Sequence, residues 1–235
     1  MAWAIAAVLL GGTVQSGTGI GFALIAAPVL TAVHGPVASV ATLAVLGPFV
    51  SVLTLAGERR RPQVLTRTAL VLSAAAVPGM AAGVLVLRHA PVDVLRVLVA
   101  LAVLGGVLAI ARGARGSSSP LAAGFLSGAM ATSTGLNGPP LVLHLMHRDA
   151  APREIRDTLA AVFLAAGVLT LAALAVSGTL HPAPNLGLLV LATVVGQLLG
   201  RQLFERIHAH HREATLVVLA LSAVVALVPA AQALL

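Results

Sequence analysis

The chain has 235 residues, 59% of them hydrophobic and 9% charged, with a formal net charge of +7 and a mean hydropathy of +1.04. Water cannot be the main solvent of so apolar a chain, which excludes a soluble enzyme or soluble binding module. It contains no Cys and no Lys, so no disulfide, thiolate metal site or cysteine nucleophile enters its mechanism. Its cationic residues are all Arg, scattered through short loops rather than gathered in the basic stripe of a nucleic-acid binder.

Taken in chain order, apolar runs bounded by charge fall at about 2–34, 37–57, 66–87, 94–112, 119–146, 155–177, 184–204 and 214–234. They are long enough to cross a bilayer as helices and too continuous for barrel strands. The opening stretch MAWAIAAVLLGG lacks a positive n-region and is read as part of the protein's first membrane element, not as a cleaved signal peptide.

The first run is special. A helix over residues 2–34 would extend about 50 Å at roughly 1.5 Å per residue, well beyond a hydrocarbon core of about 30 Å. Its middle reads Gln15-Ser16-Gly17-Thr18-Gly19-Ile20-Gly21, and the fifth run carries Ser133-Thr134-Gly135-Leu136-Asn137-Gly138-Pro139-Pro140 in the same place. Such glycine- and proline-rich centres predict broken helices, so both runs are read as re-entrant hairpins.

The two halves of the chain repeat. At an offset of 116, Thr42-Leu43-Ala44 falls on Thr158-Leu159-Ala160, and Val52-Leu53-Thr54-Leu55-Ala56 on Val168-Leu169-Thr170-Leu171-Ala172. Thr18-Gly19 falls on Thr134-Gly135 at the same offset, and one residue of slippage brings Gly79-x3-Gly83 onto Gly196-x3-Gly200. The linker-like stretch around Arg112–Pro120 divides a single transmembrane domain into repeat 1 (1–115) and repeat 2 (116–235).

Charge orients the repeats. If both special runs crossed the bilayer fully, the arginines would divide six against eight. If both return to their starting side, twelve arginines (59, 60, 61, 67, 112, 115, 148, 153, 156, 201, 206 and 212) share one side and only Arg88 and Arg96 the other, as the positive-inside rule prefers. Each half then makes three crossings, so the second is inverted relative to the first. The expected fold is an all-α integral membrane protein of two inverted-topology repeats, each a re-entrant hairpin plus three transmembrane helices, in the inner or plasma membrane with both termini non-cytoplasmic.

Paired breaks in lipid require a cavity to receive the freed backbone groups, and they are the usual pointer to a transporter's site. The half-helix starts after Gly21 and Gly138 offer N–H groups and positive partial charge, which favour an anion. The candidate substrate-binding residues are Gln15, Ser16, Gly17, Thr18, Gly19, Gly21, Ser133, Thr134, Gly135, Asn137 and Gly138, with Thr42 and Thr158 adding hydroxyls. For the Ser and Thr residues, bonding to their own helix or a neighbour is the competing role.

His144, just after the second break, is a candidate proton-coupling group, with interfacial placement beside His147 and Arg148 as the alternative. The glycine pairs are packing faces, between the two halves or in a homodimer. His208, His210 and His211 with Glu205 are read as a solvated loop, and no metal or cofactor is expected. The frame Gly124-Phe-Leu-Ser127-Gly128 is one residue longer than the G-x-S-G of an intramembrane serine protease, so no enzymatic role is assigned.

These breaks and the strings that follow them, Gly17-Thr-Gly-Ile-Gly21 with Pro28, Ala41-Thr-Leu-Ala44, Thr134-Gly-Leu-Asn-Gly-Pro139 and Asp157-Thr-Leu-Ala160, resemble the TauE/SafE family of sulfite exporters and organosulfonate permeases along the whole chain. The resemblance implies export or uptake of a small sulfur oxyanion or sulfonate. The expected function is a secondary transporter of sulfite or an organosulfonate, working by alternating access around two opposed hairpin tips. The expected partners are the anionic substrate and the lipid bilayer, with no nucleic acid. A channel or divalent-metal transporter is the alternative; it would call for acidic residues within the apolar runs, whereas the seven Asp and Glu (58, 93, 149, 154, 157, 205 and 213) fall in loops or at run ends.

Overall fold

The computed structural model describes residues 1–57, 61–112, 119–146, 148 and 150–206, and all regular structure among them is helical. The predicted run at 214–234, the loop with His208, His210 and His211, and the arginines at 59, 60, 115 and 212 lie outside the described residues. So does the side chain of Glu205.

The elements are α1 (Ala2–Thr18), α2 (Phe22–His34), α3 (Pro36–Ala56), α4 (Thr66–His89), α5 (Val92–Ala111), α6 (Pro120–Thr134), α7 (Gly138–Leu145), α8 (Pro152–Val176) and α9 (Leu186–Arg206). By length and composition α3, α4, α5 and α8 can each cross a bilayer, and the chain is a multi-pass membrane protein. Each special run is two helices rather than one. The 17 residues of α1 and 13 of α2 reach only about 26 and 20 Å at roughly 1.5 Å per residue, so neither spans alone.

The breaks are narrower than the sequence predicts. Gln15 to Thr18 remain helical, as do Ser133 and Thr134, and the chain leaves helical geometry only at 19–21 and 135–137. At the first break Gly19 (φ 76°) and Gly21 (φ 115°) both occupy left-handed conformations open to glycine. At the second only Gly135 (φ 76°) does so, and Leu136 N–H reaches back to the Met130 carbonyl at 3.4 Å. Gly138-Pro139-Pro140 then starts α7, where a proline loses no helical bond.

The helices pair across the sequence halves. Gly79 and Gly83 of α4 lie against the backbone of α6 at Phe125 and Ala129, and Gly196 and Gly200 of α9 against that of α1 at Leu9 and Thr13. A Cβ at any of the four would strike a backbone carbonyl. The glycine pairs therefore serve contacts between the two halves, the closeness that small residues allow in lipid, where no hydrophobic force drives helices together. Large apolar side chains such as Trp3 (78% exposed), Leu70 (67%), Leu101 (60%) and Val176 (91%) point outward, as a lipid-facing surface requires.

Two arginines lie against the loop after α3 and the start of α4. Arg148 bonds Thr68, Asp157 accepts Gln63 N–H at 2.7 Å, Thr158 accepts Leu65 N–H at 2.9 Å, and the Arg201 guanidinium lies beside Gly57. The loop after α3 thus meets the start of α8.

Candidate functional site

Both breaks open onto one cavity of about 70 Å³. Residues 20–24 and 135–139 face each other across it, α3 contributes Gly47 and Ser51, and α8 contributes Phe163, Gly167 and Thr170. Its wall repeats: Gln15 and Ala131, Ile20 and Leu136, Gly21 and Asn137, Phe22 and Gly138, Ala23 and Pro139, Gly47 and Phe163, and Ser51 and Gly167 all line it, each pair 116 apart. The volume suits a small ion with little room besides, far below the roughly 300–1,000 Å³ of a drug-sized pocket.

Of the predicted residues, the structure brings Gln15, Gly21, Gly135, Asn137 and Gly138 to this cavity. Gln15 is 6% exposed, and its Oε1 accepts Phe22 N–H at 2.9 Å, bridging the break. Ser127, on α6, donates to the Asn137 carbonyl at 2.9 Å and so ties the second break to the helix before it.

The remaining hydroxyls are engaged elsewhere. Ser16 Oγ donates to the Thr13 carbonyl at 2.9 Å, Ser133 to Ala129 at 2.7 Å and Thr134 to Met130 at 2.8 Å. Thr42, fully buried, donates to the Ala38 carbonyl at 2.6 Å and accepts Ala183 N–H at 2.8 Å. Thr158 makes the matching contact with Leu65 N–H. Gly17 and Thr18 end α1, and the Thr18 side chain lies outside the described residues. Gly19 is covered by Arg156, whose Nη2 donates to the Ser16 carbonyl at 3.0 Å at the negative end of the α1 dipole. His144 is buried on α7 among Leu141, Val142 and Leu145 and is absent from the cavity wall.

The helix starts hold fewer donors than their position alone implies. Phe22 N–H is taken by Gln15, and Pro139 and Pro140 bring none to the first turn of α7. The positive partial charge of both starts remains, and among the described residues no charged side chain lines the cavity.

Sequence reasoning missed Ser51, Thr170, Phe163 and Gly47. For two of them a signal was present, because the string Val52–Ala56 adjoins Ser51 and its counterpart Val168–Ala172 contains Thr170.

The comparisons with curated proteins and with solved structures gave no match. A model of the sulfite exporter TauE/SafE family matches residues 4–226, a span that holds both breaks and the cavity between them. The chain belongs to the sulfite exporter TauE/SafE family.

Proposed function

We propose that this chain is a secondary transporter, not an enzyme, and that it moves sulfite or an organosulfonate through the cavity between the two breaks. One observation carries the proposal: the starts of two half-helices converge on one cavity whose wall repeats at an offset of 116. Each start carries about half a positive elementary charge, and a helix N-terminus accepts an oxyanion without further charge. The family match supplies the substrate class.

In this proposal residues 1–115 and 116–235 are inverted repeats within one domain, the α1–α2 and α6–α7 pairs are re-entrant hairpins, and Gln15, Gly21, Gly135, Asn137 and Gly138 contact the substrate. The contact of α1 with α9 and of α6 with α4 supports it, because an inverted pseudo-twofold axis exchanges those two pairs. The meeting of the loop after α3 with the start of α8 supports placing the Arg-rich end in the cytoplasm. That orientation leaves the termini outside an inner membrane. Alternating access then follows if the glycine-lined pairs α1/α9 and α4/α6 rock against α3 and α8.

The test is sulfite flux in proteoliposomes together with thermal unfolding of the purified protein in sulfite, taurine, sulfate or a divalent metal. Flux of sulfite or a sulfonate, with a raised unfolding midpoint, is the expected result. Stabilisation by the metal alone, with no anion flux, overturns the proposal.

A further inference from the structure

Ser51 is the cavity group that substrate contact at the two breaks leaves unused. It is 1% exposed on α3, and its Oγ has no hydrogen-bond partner among the described residues. It lines the cavity together with Thr170 of α8, 3% exposed. A hydroxyl inside a membrane helix ordinarily turns back to the carbonyl four residues earlier. Thr54, one turn along the same helix, does so to Val50 at 2.9 Å, and Thr193 does so to Leu189 at 2.8 Å. Ser51 forgoes that bond, and an unpaired buried hydroxyl calls for a partner of another kind.

The charge of that partner follows from the wall. Among the described residues no lining side chain is charged, so the attraction comes from the starts of α2 and α7. At about half an elementary charge each they sum to roughly one. The penalty for drawing an ion out of water grows with the square of its charge, whereas the attraction grows only in proportion to it. Two helix starts therefore balance one negative charge and leave a second uncompensated. Donors point the same way: with Phe22 N–H engaged and two prolines opening α7, the breaks alone offer few N–H groups to the oxygens of an anion.

We propose that the cavity holds its ligand as a singly charged oxyanion, hydrogensulfite or a sulfonate rather than a dianion, with Ser51 Oγ bonded to the oxygen that the helix starts leave free. This rests on the anion-transport reading of the same cavity and adds to it a charge state and a side-chain ligand.

The experiment measures thermal unfolding of the purified full chain at constant ionic strength with methanesulfonate, which carries one charge, and with sulfate, which carries two, in wild type and Ser51→Ala. Methanesulfonate is expected to raise the wild-type midpoint and sulfate to leave it unmoved. Ser51→Ala without added anion is expected to unfold at the same temperature as wild type or higher, since it removes an unpaired group, and to bind methanesulfonate about ten- to a hundredfold more weakly. Equal stabilisation by sulfate overturns the single-charge assignment. Unchanged methanesulfonate affinity in Ser51→Ala, or a lowered midpoint of that variant without anion, overturns the role of Ser51. Failure of wild type to respond to methanesulfonate or sulfate here, and to sulfite in the unfolding test above, overturns the anion site itself and is distinguishable from both.

Discussion

Thr42 and Thr158 stand 116 residues apart and make the same bond in opposite halves of the molecule. Thr42 Oγ1 accepts the Ala183 N–H from the loop before α9, and Thr158 Oγ1 accepts the Leu65 N–H from the loop before α4. A hydroxyl of α3 thus fastens the loop before α9, and a hydroxyl of α8 the loop before α4. Thr42→Val and Thr158→Val each orphan one loop N–H and should lower stability by about 1–3 kcal/mol. Both should leave the sulfite-induced rise in midpoint unchanged, as denaturant unfolding with and without sulfite will show. A loss of the sulfite response at full stability would instead make these hydroxyls substrate ligands.

Gln15 caps α2 from within the cavity wall. In Gln15→Met the side chain keeps its length and loses its acceptor, leaving Phe22 N–H buried and unpaired. The expected result is a loss of about 1–3 kcal/mol of stability together with weakened sulfite transport, read by unfolding and by proteoliposome flux. An unaffected flux rate in a folded variant would separate the cap from the site.

The glycine contacts between the halves predict a sharp contrast. Gly83→Ala and Gly128→Ala place a methyl group against the carbonyls of Ala129 and Ala76, and overpacking of this kind costs about 1–3 kcal/mol. Gly105→Ala, in α5, meets nothing within 4 Å and should be neutral or stabilise by up to about 1 kcal/mol through helix propensity. Thermal unfolding of the three variants in one detergent checks both directions.

The absence of cysteine makes topology testable with single substitutions. His181→Cys and Arg153→Cys are both at exposed positions. In the inverted-repeat proposal an impermeant thiol reagent added outside intact cells labels the first and not the second. Labelling of both from one side would rule out the proposed orientation.

Much of the architecture is legible in the sequence because its determinants are local. Hydropathy over a run of residues decides that it leaves water, and the Gly-rich centre of residues 15–21 with the Gly-Pro-Pro of 138–140 marks where each long helix fails. The offset of 116 is visible without any coordinates, and it recurs in the cavity wall.

What only the tertiary structure decided is the fate of each polar group. Thr42, Ser51, Ser133 and Thr158 are alike in sequence as hydroxyls in apolar helices, yet Ser133 bonds its own helix, Thr42 and Thr158 hold distant loops, and Ser51 faces the cavity. The likeness ends there because a hydroxyl's partner is whichever acceptor or donor the fold carries within about 3 Å, and for Thr42 that partner lies 141 residues away. The sequence by itself therefore determined a broken-helix membrane protein, since burial and helix breaking act residue by residue. Which side chains surround the cavity was decided by packing between the halves, since that depends on contacts no local stretch contains.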